Sequence, residues 1–134
     1  IVLSGGNNIG DCPNRDSTEK ALLLYAEANK LPLMGICRGM QMMASEYGSK
    51  VVEVHGHVAT RHKVSGKQAM EVNSFHNFAI EKEPSEFEVS ARAEDGVIEA
   101  IRHKTLPWLG LMWHPEREKE FREEDLNTIN ALFA

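Results

Sequence analysis

The chain predicts an α/β fold: a mainly parallel sheet flanked by helices, with a small antiparallel hairpin addition. Three observations carry that expectation. Short apolar runs alternate with amphipathic segments along the 134 residues. The apolar run at residues 31–36 turns into a helical pattern through Gly35-Ile36-Cys37-Arg38-Gly39, as a parallel strand feeds the helix that follows it. Residues 87–93 and 97–102 alternate apolar and polar on either side of Asp95-Gly96, a hairpin signal.

Taken in order, residues 1–3 read as a buried strand and residues 4–14 as a loop rich in Gly and Asn. Asp16 with Glu19 three places on forms a capping-box pattern. The helix it opens runs to about Asn29, with Ala21, Leu22, Leu24, Tyr25 and Ala28 expected inside. After the strand at Leu33 and the Cys37 corner, a second helix covers residues 40–47 and stops at Gly48, a C-cap residue. Residues 51–54 read as a short strand, 55–66 as a polar loop and 70–73 as a strand. The 87–102 hairpin follows, then a buried strand at 109–113. Residues 120–133 form a terminal amphipathic helix, with Leu126, Ile129, Leu132 and Phe133 expected inside. No repeat, linker or low-complexity tract interrupts this order, so residues 1–134 read as a single domain.

Composition narrows the function classes. An apolar fraction of 42% suits a chain with a real core and argues against disorder. A net charge of −5 without a basic stripe argues against nucleic acid. No apolar run approaches the length that spans a bilayer, and no secretory leader is visible. Cys12 and Cys37 could pair on arithmetic alone, but a reactive Cys37 requires the reduced form, which points to the cytoplasm.

The reason to call Cys37 reactive is its corner. A strand that turns into a helix through G-x-C-x-G exposes the central side chain at a strained position. The helix start adds N–H groups and a positive dipole, which favour thiolate. A buried structural cysteine is the plainer alternative. Far downstream, the apolar run Leu109-Gly110-Leu111-Met112-Trp113 ends on His114-Pro115-Glu116. A cysteine nucleophile needs a base, and the base needs an orienting acceptor. His114 and Glu116 supply these types in that order, with Pro115 stiffening the link and stopping further strand pairing.

Together, Gly35-Ile36-Cys37-Arg38-Gly39-Met40-Gln41 and His114-Pro115-Glu116 resemble the class I glutamine amidotransferase superfamily, and within it the γ-glutamyl hydrolase branch. Ser4-Gly5-Gly6-Asn7-Asn8 resembles the family's first glycine-rich loop, Arg15-Asp16 with Glu19 the helix after it, and Val72-Asn73-Ser74-Phe75-His76 the loop that grips the glutamyl end of the substrate. The resemblance implies a flavodoxin-like sheet with its site at the carboxyl ends of strands. It implies cysteine-dependent hydrolysis of a small γ-glutamyl amide, or a glutaminase passing ammonia to a synthetase partner. A non-catalytic binding protein on the same fold is the third reading. Family members carry further strands before the loop that starts here at Ser4, so the chain is expected to lack its N-terminal strands.

Further residues take candidate roles on that basis. The oxyanion of a tetrahedral intermediate would be met by the Arg38 N–H and a glycine N–H, Gly6 rather than Gly5. Gln41, one helical turn from Cys37, would bond the glutamyl amide. Backbone groups around Ser74 and Phe75 would hold the α-amino and carboxylate ends of the glutamyl group, His76 is expected near the pocket as a further substrate-binding residue, and Arg61 with His62 would contact the leaving half. His55, His57 and His62 fit no firm zinc spacing, and no neighbouring carboxylate or thiol completes them. No metal or organic cofactor is therefore expected, and a homo-oligomer is left open. His103, beside Lys104, reads as exposed.

Overall fold

The computed structural model describes residues 1–66 and 69–134. Among these residues, nine strands and three helices follow one another: β1 Val2–Leu3, α1 Pro13–Ala28, β2 Leu33–Ile36, α2 Arg38–Glu46, β3 Val51–Glu53, β4 Val58–Gly66, β5 Met70–Phe75, β6 Phe78–Ile80, β7 Phe87–Ala93, β8 Ile98–His103, β9 Trp108–Leu111, a 3-10 turn Pro115–Arg117, and α3 Glu123–Phe133. Seven strands form one sheet in the order β1-β2-β9-β8-β7-β4-β5, and β3 pairs with β6 in a separate ribbon. The α/β architecture is the expected one, with an antiparallel part larger than a single hairpin. β1, β2 and β9 are parallel to one another, whereas β9-β8, β8-β7, β7-β4 and β4-β5 are antiparallel.

Both sheet faces are covered. Leu33, Phe87, Ile98, Ile101 and Trp108 meet Met40 and Met43 of α2 and Leu23 of α1. Met34, Val72, Leu109, Leu111 and Trp113 meet Leu132 of α3 on the other face. Neighbouring residues on β2 and β9 alternate between the two clusters, as the strand period of two requires. No helix among the described residues is long and apolar enough to cross a membrane.

Five expectations are corrected. The segment 55–66 is not a polar loop, because its second part is the nine-residue strand β4, inserted between β5 and β7. Its pattern hid the strand because the inward positions Thr60 and His62 are polar and only Val64 is a buried aliphatic. On α1 the buried residues are Glu19, Leu23 and Ala26, while Leu24 and Tyr25 are 67% and 58% exposed. The helix is rotated because buried Glu19 is paired with Arg38, and that pairing rather than the apolar stripe sets the inner face. Asp16 and Glu19 consequently do not form a capping box, since the helix starts at Pro13. On α3, Leu132 is buried but Leu126 and Phe133 are not, since Asp125 turns inward to accept the Trp113 indole N–H at 3.1 Å. His103 is buried as well, stacked edge-on among Tyr47, Phe87 and Trp108.

Candidate active site

Three parallel strands bring the candidate residues together. The loops leaving the carboxyl ends of β1, β2 and β9 emerge side by side: Leu3 leads into Ser4-Gly5-Gly6, Ile36 into Cys37, and Leu111 into the segment that ends on His114. The register of Ile36 opposite Leu111 is carried one step further by the Cys37 N–H, which donates to the Leu111 carbonyl at 2.6 Å.

Cys37 occupies the corner between β2 and α2 with φ +50° and ψ −103°. A side-chain-bearing residue there stores strain of order 1–3 kcal/mol, which persists because both flanking elements are fixed. The two glycines have a packing reason. A methyl group on Gly39 would lie 2.1 Å from the Leu3 carbonyl oxygen, and one on Gly35 would lie 2.6 Å from the Gly39 carbonyl carbon. They let β1, β2 and α2 close on one another. Burial pushes the Cys37 thiol up, from 9.0 to about 11. The Arg38 N–H bond and the Arg117 cation favour the thiolate, but desolvation outweighs them, and Glu99 and Glu116 add to the rise. The expectation that the helix start leaves a thiolate is therefore corrected. Desolvation favours the thiol, and attack from that form requires a base.

His114 has the geometry such a base needs. Its Nδ1 faces Glu116 Oε1 at 2.6 Å, so Nδ1 carries the hydrogen and, in the neutral ring, Nε2 presents its lone pair. That Nε2 is buried and has no hydrogen-bond partner among the described residues. A methyl group on Gly5 would lie 2.8 Å from His114 Cε1 and 3.8 Å from Cys37 Cβ, so imidazole, cysteine and glycine loop meet at one point. The His114 backbone is pinned on both sides. Its N–H donates to Asn73 Oδ1 at 2.9 Å, and its carbonyl accepts from Asn73 Nδ2 at 2.8 Å. Asn73 also donates to Glu118 Oε1 at 2.9 Å. Sequence reasoning gives Asn73 no role of its own. The available signal is an asparagine inside a strand, where that residue type is depleted. Arg117 is a second residue that sequence reasoning misses. Its guanidinium lies 4.5 Å over the Phe75 ring, and Phe75 packs edge-on against His114 at 5.9 Å.

The oxyanion candidates share one support. Arg15 donates to the Ser4 carbonyl at 2.9 Å and the Gly5 carbonyl at 3.1 Å, and to Glu19 at 2.9 Å. Glu19 and Asp16 in turn hold the buried Arg38 side chain. In a trans peptide the N–H points opposite to the C=O, so fixing the Gly5 carbonyl also fixes the Gly6 N–H. The Arg38 N–H, at the start of α2, acts on Cys37 in the direction that favours the thiolate.

The expected substrate contacts divide. Phe75 is partly exposed beside His114. Arg61 lines a shallow groove of about 430 Å³ with Ala59, Thr60, Asn73, Phe75 and Arg117, and is paired with Glu71 and Glu118. Gln41 already donates from Nε2 to the Phe78 carbonyl at 3.0 Å, which leaves Oε1 for other contacts. His76 is a correction: its ring turns inward and faces Glu99 instead of the pocket. The Ser74 side chain also turns inward, donating to the His57 carbonyl, and the role expected at Ser74 belongs to its backbone groups. His57, His62 and Glu99 draw close enough to hold a metal ion, so the missing carboxylate comes from β8, while His55 stays exposed. Cys12 and Cys37 are both free.

The family profile for glutamine amidotransferase class-I matches residues 1–130. The chain belongs to that family. It is 40% identical over 138 residues to a γ-glutamyl-CDP-amidate hydrolase of Campylobacter jejuni, covering 98% of this chain and 66% of the relative. It is 32% identical over 126 residues to a glutamine-hydrolyzing GMP synthase subunit of Methanocaldococcus jannaschii, covering 87% of this chain and 63% of the relative. Among solved structures, a glutamine amidotransferase of Thermotoga maritima superposes with a TM-score of 0.76 at 19% identity, covering 87% of this chain and 55% of that one, which supports the fold. The chain thus spans just under two thirds of the length of these two curated amidotransferase relatives.

Proposed function

We propose that the protein hydrolyses the γ-glutamyl amide bond of a small γ-glutamyl compound, releasing glutamate and an amine. The observation that carries this reading is His114 itself. One nitrogen is held by Glu116 at 2.6 Å, the other is buried and unpartnered among the described residues, and the ring stands beside Cys37 and Gly5. In the proposed reaction the Cys37 thiol gives its proton to His114 Nε2, and the sulfur attacks the side-chain carbonyl carbon. Negative charge collects on the former carbonyl oxygen, where the Gly6 and Arg38 N–H groups stabilise it. The C–N bond breaks as His114 returns the proton to the departing amine. Water, deprotonated by His114, then cleaves the γ-glutamyl thioester, and glutamate leaves. These residues require no metal ion for the steps described. The relative that acts on a γ-glutamyl-CDP-amidate supports an amine attached to a larger polar group, and the groove beside Phe75 and Arg61 offers such a group room.

The relatives that are components of anthranilate and GMP synthases favour a second reading, in which the same chemistry supplies ammonia to a synthetase. Release of glutamate from a panel of γ-glutamyl amides, run beside free glutamine, separates the two. Hydrolysis of amides by the chain alone supports the first reading, and turnover of glutamine only with a second protein supports the other. In either case Cys37→Ala is expected to cost about four orders of magnitude or more in kcat. A variant that kept most of the activity would overturn the covalent scheme.

A further inference from the structure

Behind the substrate-gripping strand, away from Cys37, lies a second cluster that the proposed reaction does not use. Glu99, on β8, is fully buried, and its Oε1 stands 3.3 Å from three imidazole nitrogens: Nδ1 of His57, Nε2 of His62 and Nε2 of His76. The opposite nitrogens of two rings settle what those faces carry. His57 Nε2 faces the Asp95 carboxylate at 2.7 Å, and His76 Nδ1 faces the Phe78 carbonyl at 3.0 Å. Both partners only accept, so both nitrogens carry hydrogens. In the neutral rings, His57 Nδ1 and His76 Nε2 therefore turn lone pairs toward a carboxylate oxygen. The Ser74 hydroxyl gives its hydrogen to the His57 carbonyl at 2.8 Å. His62 Nε2 and Glu99 Oε2 are buried without a hydrogen-bond partner among the described residues.

Lone pairs that converge in a buried place need a cation between them. Protons on the rings are one candidate, but the spacing argues against them. Where this molecule does pair an imidazole with a carboxylate, the separation is 2.6 Å at His114–Glu116 and 2.7 Å at His57–Asp95. The three contacts to Glu99 are all longer, at 3.3 Å. Donors around a tetrahedral zinc ion, each about 2.0–2.1 Å from the metal, stand about 3.4 Å apart. The His57–Asp95 contact is also the carboxylate–histidine pairing that orients metal-bound imidazoles.

We propose that His57, His62 and Glu99 form a site for a borderline transition-metal ion of the zinc class, with His76 facing Glu99 beside it. The ion would staple β4 to β8. Away from the reacting atoms, such an ion is structural rather than catalytic. The site holds whichever γ-glutamyl substrate the enzyme takes, because it makes no contact with the reacting atoms.

The test is metal binding by the full chain carrying Cys37→Ala, so that no thiol competes at the active site, after chelator treatment and dialysis. Addition of Co²⁺ is expected to give the intense visible absorption of a tetrahedral complex, saturating at one equivalent and displaced by Zn²⁺. His62→Ala, at a half-buried position that the fold tolerates, is expected to abolish the absorption. Asp95→Asn is expected to weaken affinity about 10- to 100-fold. His55→Ala, on the exposed side, leaves it unchanged. Absence of tetrahedral bands together with no rise in Tm on adding Zn²⁺ would overturn the proposal. So would binding that survives both His62→Ala and Glu99→Gln.

Discussion

Arg15, Asp16, Glu19 and Arg38 form one polar cluster beside Cys37, with Glu19 and Arg38 buried, and His57, half-buried His62, His76 and Glu99 form another behind β5. The first balances two guanidinium groups against two carboxylates. Each carboxylate oxygen has its own donor: Arg15 and Arg38 on Glu19, Arg38 and the Gly10 N–H on Asp16. The second sets three imidazoles around a single oxygen of one carboxylate and leaves the other oxygen without a hydrogen-bond partner among the described residues. Burial of charge is tolerable when every charged atom finds a fixed partner, and costly otherwise. By that criterion the carboxylates of the first cluster are satisfied within this chain, although Arg38 Nε is buried without a hydrogen-bond partner among the described residues, and the cluster acts as a frame. The second is complete only with a cation supplied from outside.

Removing one member of each cluster should therefore give opposite results, and this is the largest effect expected. Arg38→Met strips the cation that both Glu19 and Asp16 face, and should cost about 3–5 kcal/mol of stability, read from urea unfolding. Glu99→Gln removes the one anion of the second cluster. In the metal-free chain it should be close to neutral, and in Zn²⁺ it should forfeit the stabilisation that wild type gains. Equal, large losses from both substitutions without metal would erase the distinction between the clusters.

A second expectation asks whether the first cluster works through the glycine loop. Arg15 fixes the Gly5 carbonyl, and the Gly5 Cα hydrogen faces the His114 ring. Gly5→Ala would place a methyl group 2.8 Å from His114 Cε1. The ring cannot swing aside without leaving Glu116, so imidazole and sulfur should be driven out of register. A displacement near 1 Å can cost about a hundredfold in rate. We expect that loss in kcat, with an unfolding midpoint close to wild type. Unchanged turnover would show that the loop, not the imidazole, gives way.

How much of this is legible in the sequence follows the same division. The nucleophile corner, the downstream histidine and its glutamate stand out because each lies where a periodic apolar run stops. The frame cluster is visible as Arg15-Asp16 with Glu19 but reads as a helix cap, since nothing local reveals that Arg38, on the next helix, is their partner. β4 escapes for a related reason. His62 occupies an inward position because Glu99 awaits it across the sheet, and single-strand alternation cannot show a polar residue whose partner is remote. Resemblance alone places His76 near the pocket, whereas the chain just past β5 turns its ring inward to Glu99 while Phe75, the last residue of β5, faces His114.

A third and smaller expectation concerns Cys37, which burial pushes up, with a lesser contribution from Glu99 of the second cluster. Its thiol is raised from 9.0 to about 11, so between those values the unfolded chain has lost a proton that the folded chain keeps. Stability must then fall as pH rises through that window, and the contribution is fully present below pH 9. The shift corresponds to roughly 2–3 kcal/mol. Burial raises the Tyr47 phenol to about 12, so the measurement is the difference between wild type and Cys37→Ala, followed by urea unfolding from pH 8 to pH 11. Wild type should lose stability relative to the variant across that range. Alkylation of Cys37 by iodoacetamide should accelerate over the same window rather than near pH 8. If the two proteins ran parallel and alkylation were fast at neutral pH, the helix start would have overcome desolvation, and the resting enzyme would hold a thiolate that needs His114 only to protonate the leaving amine.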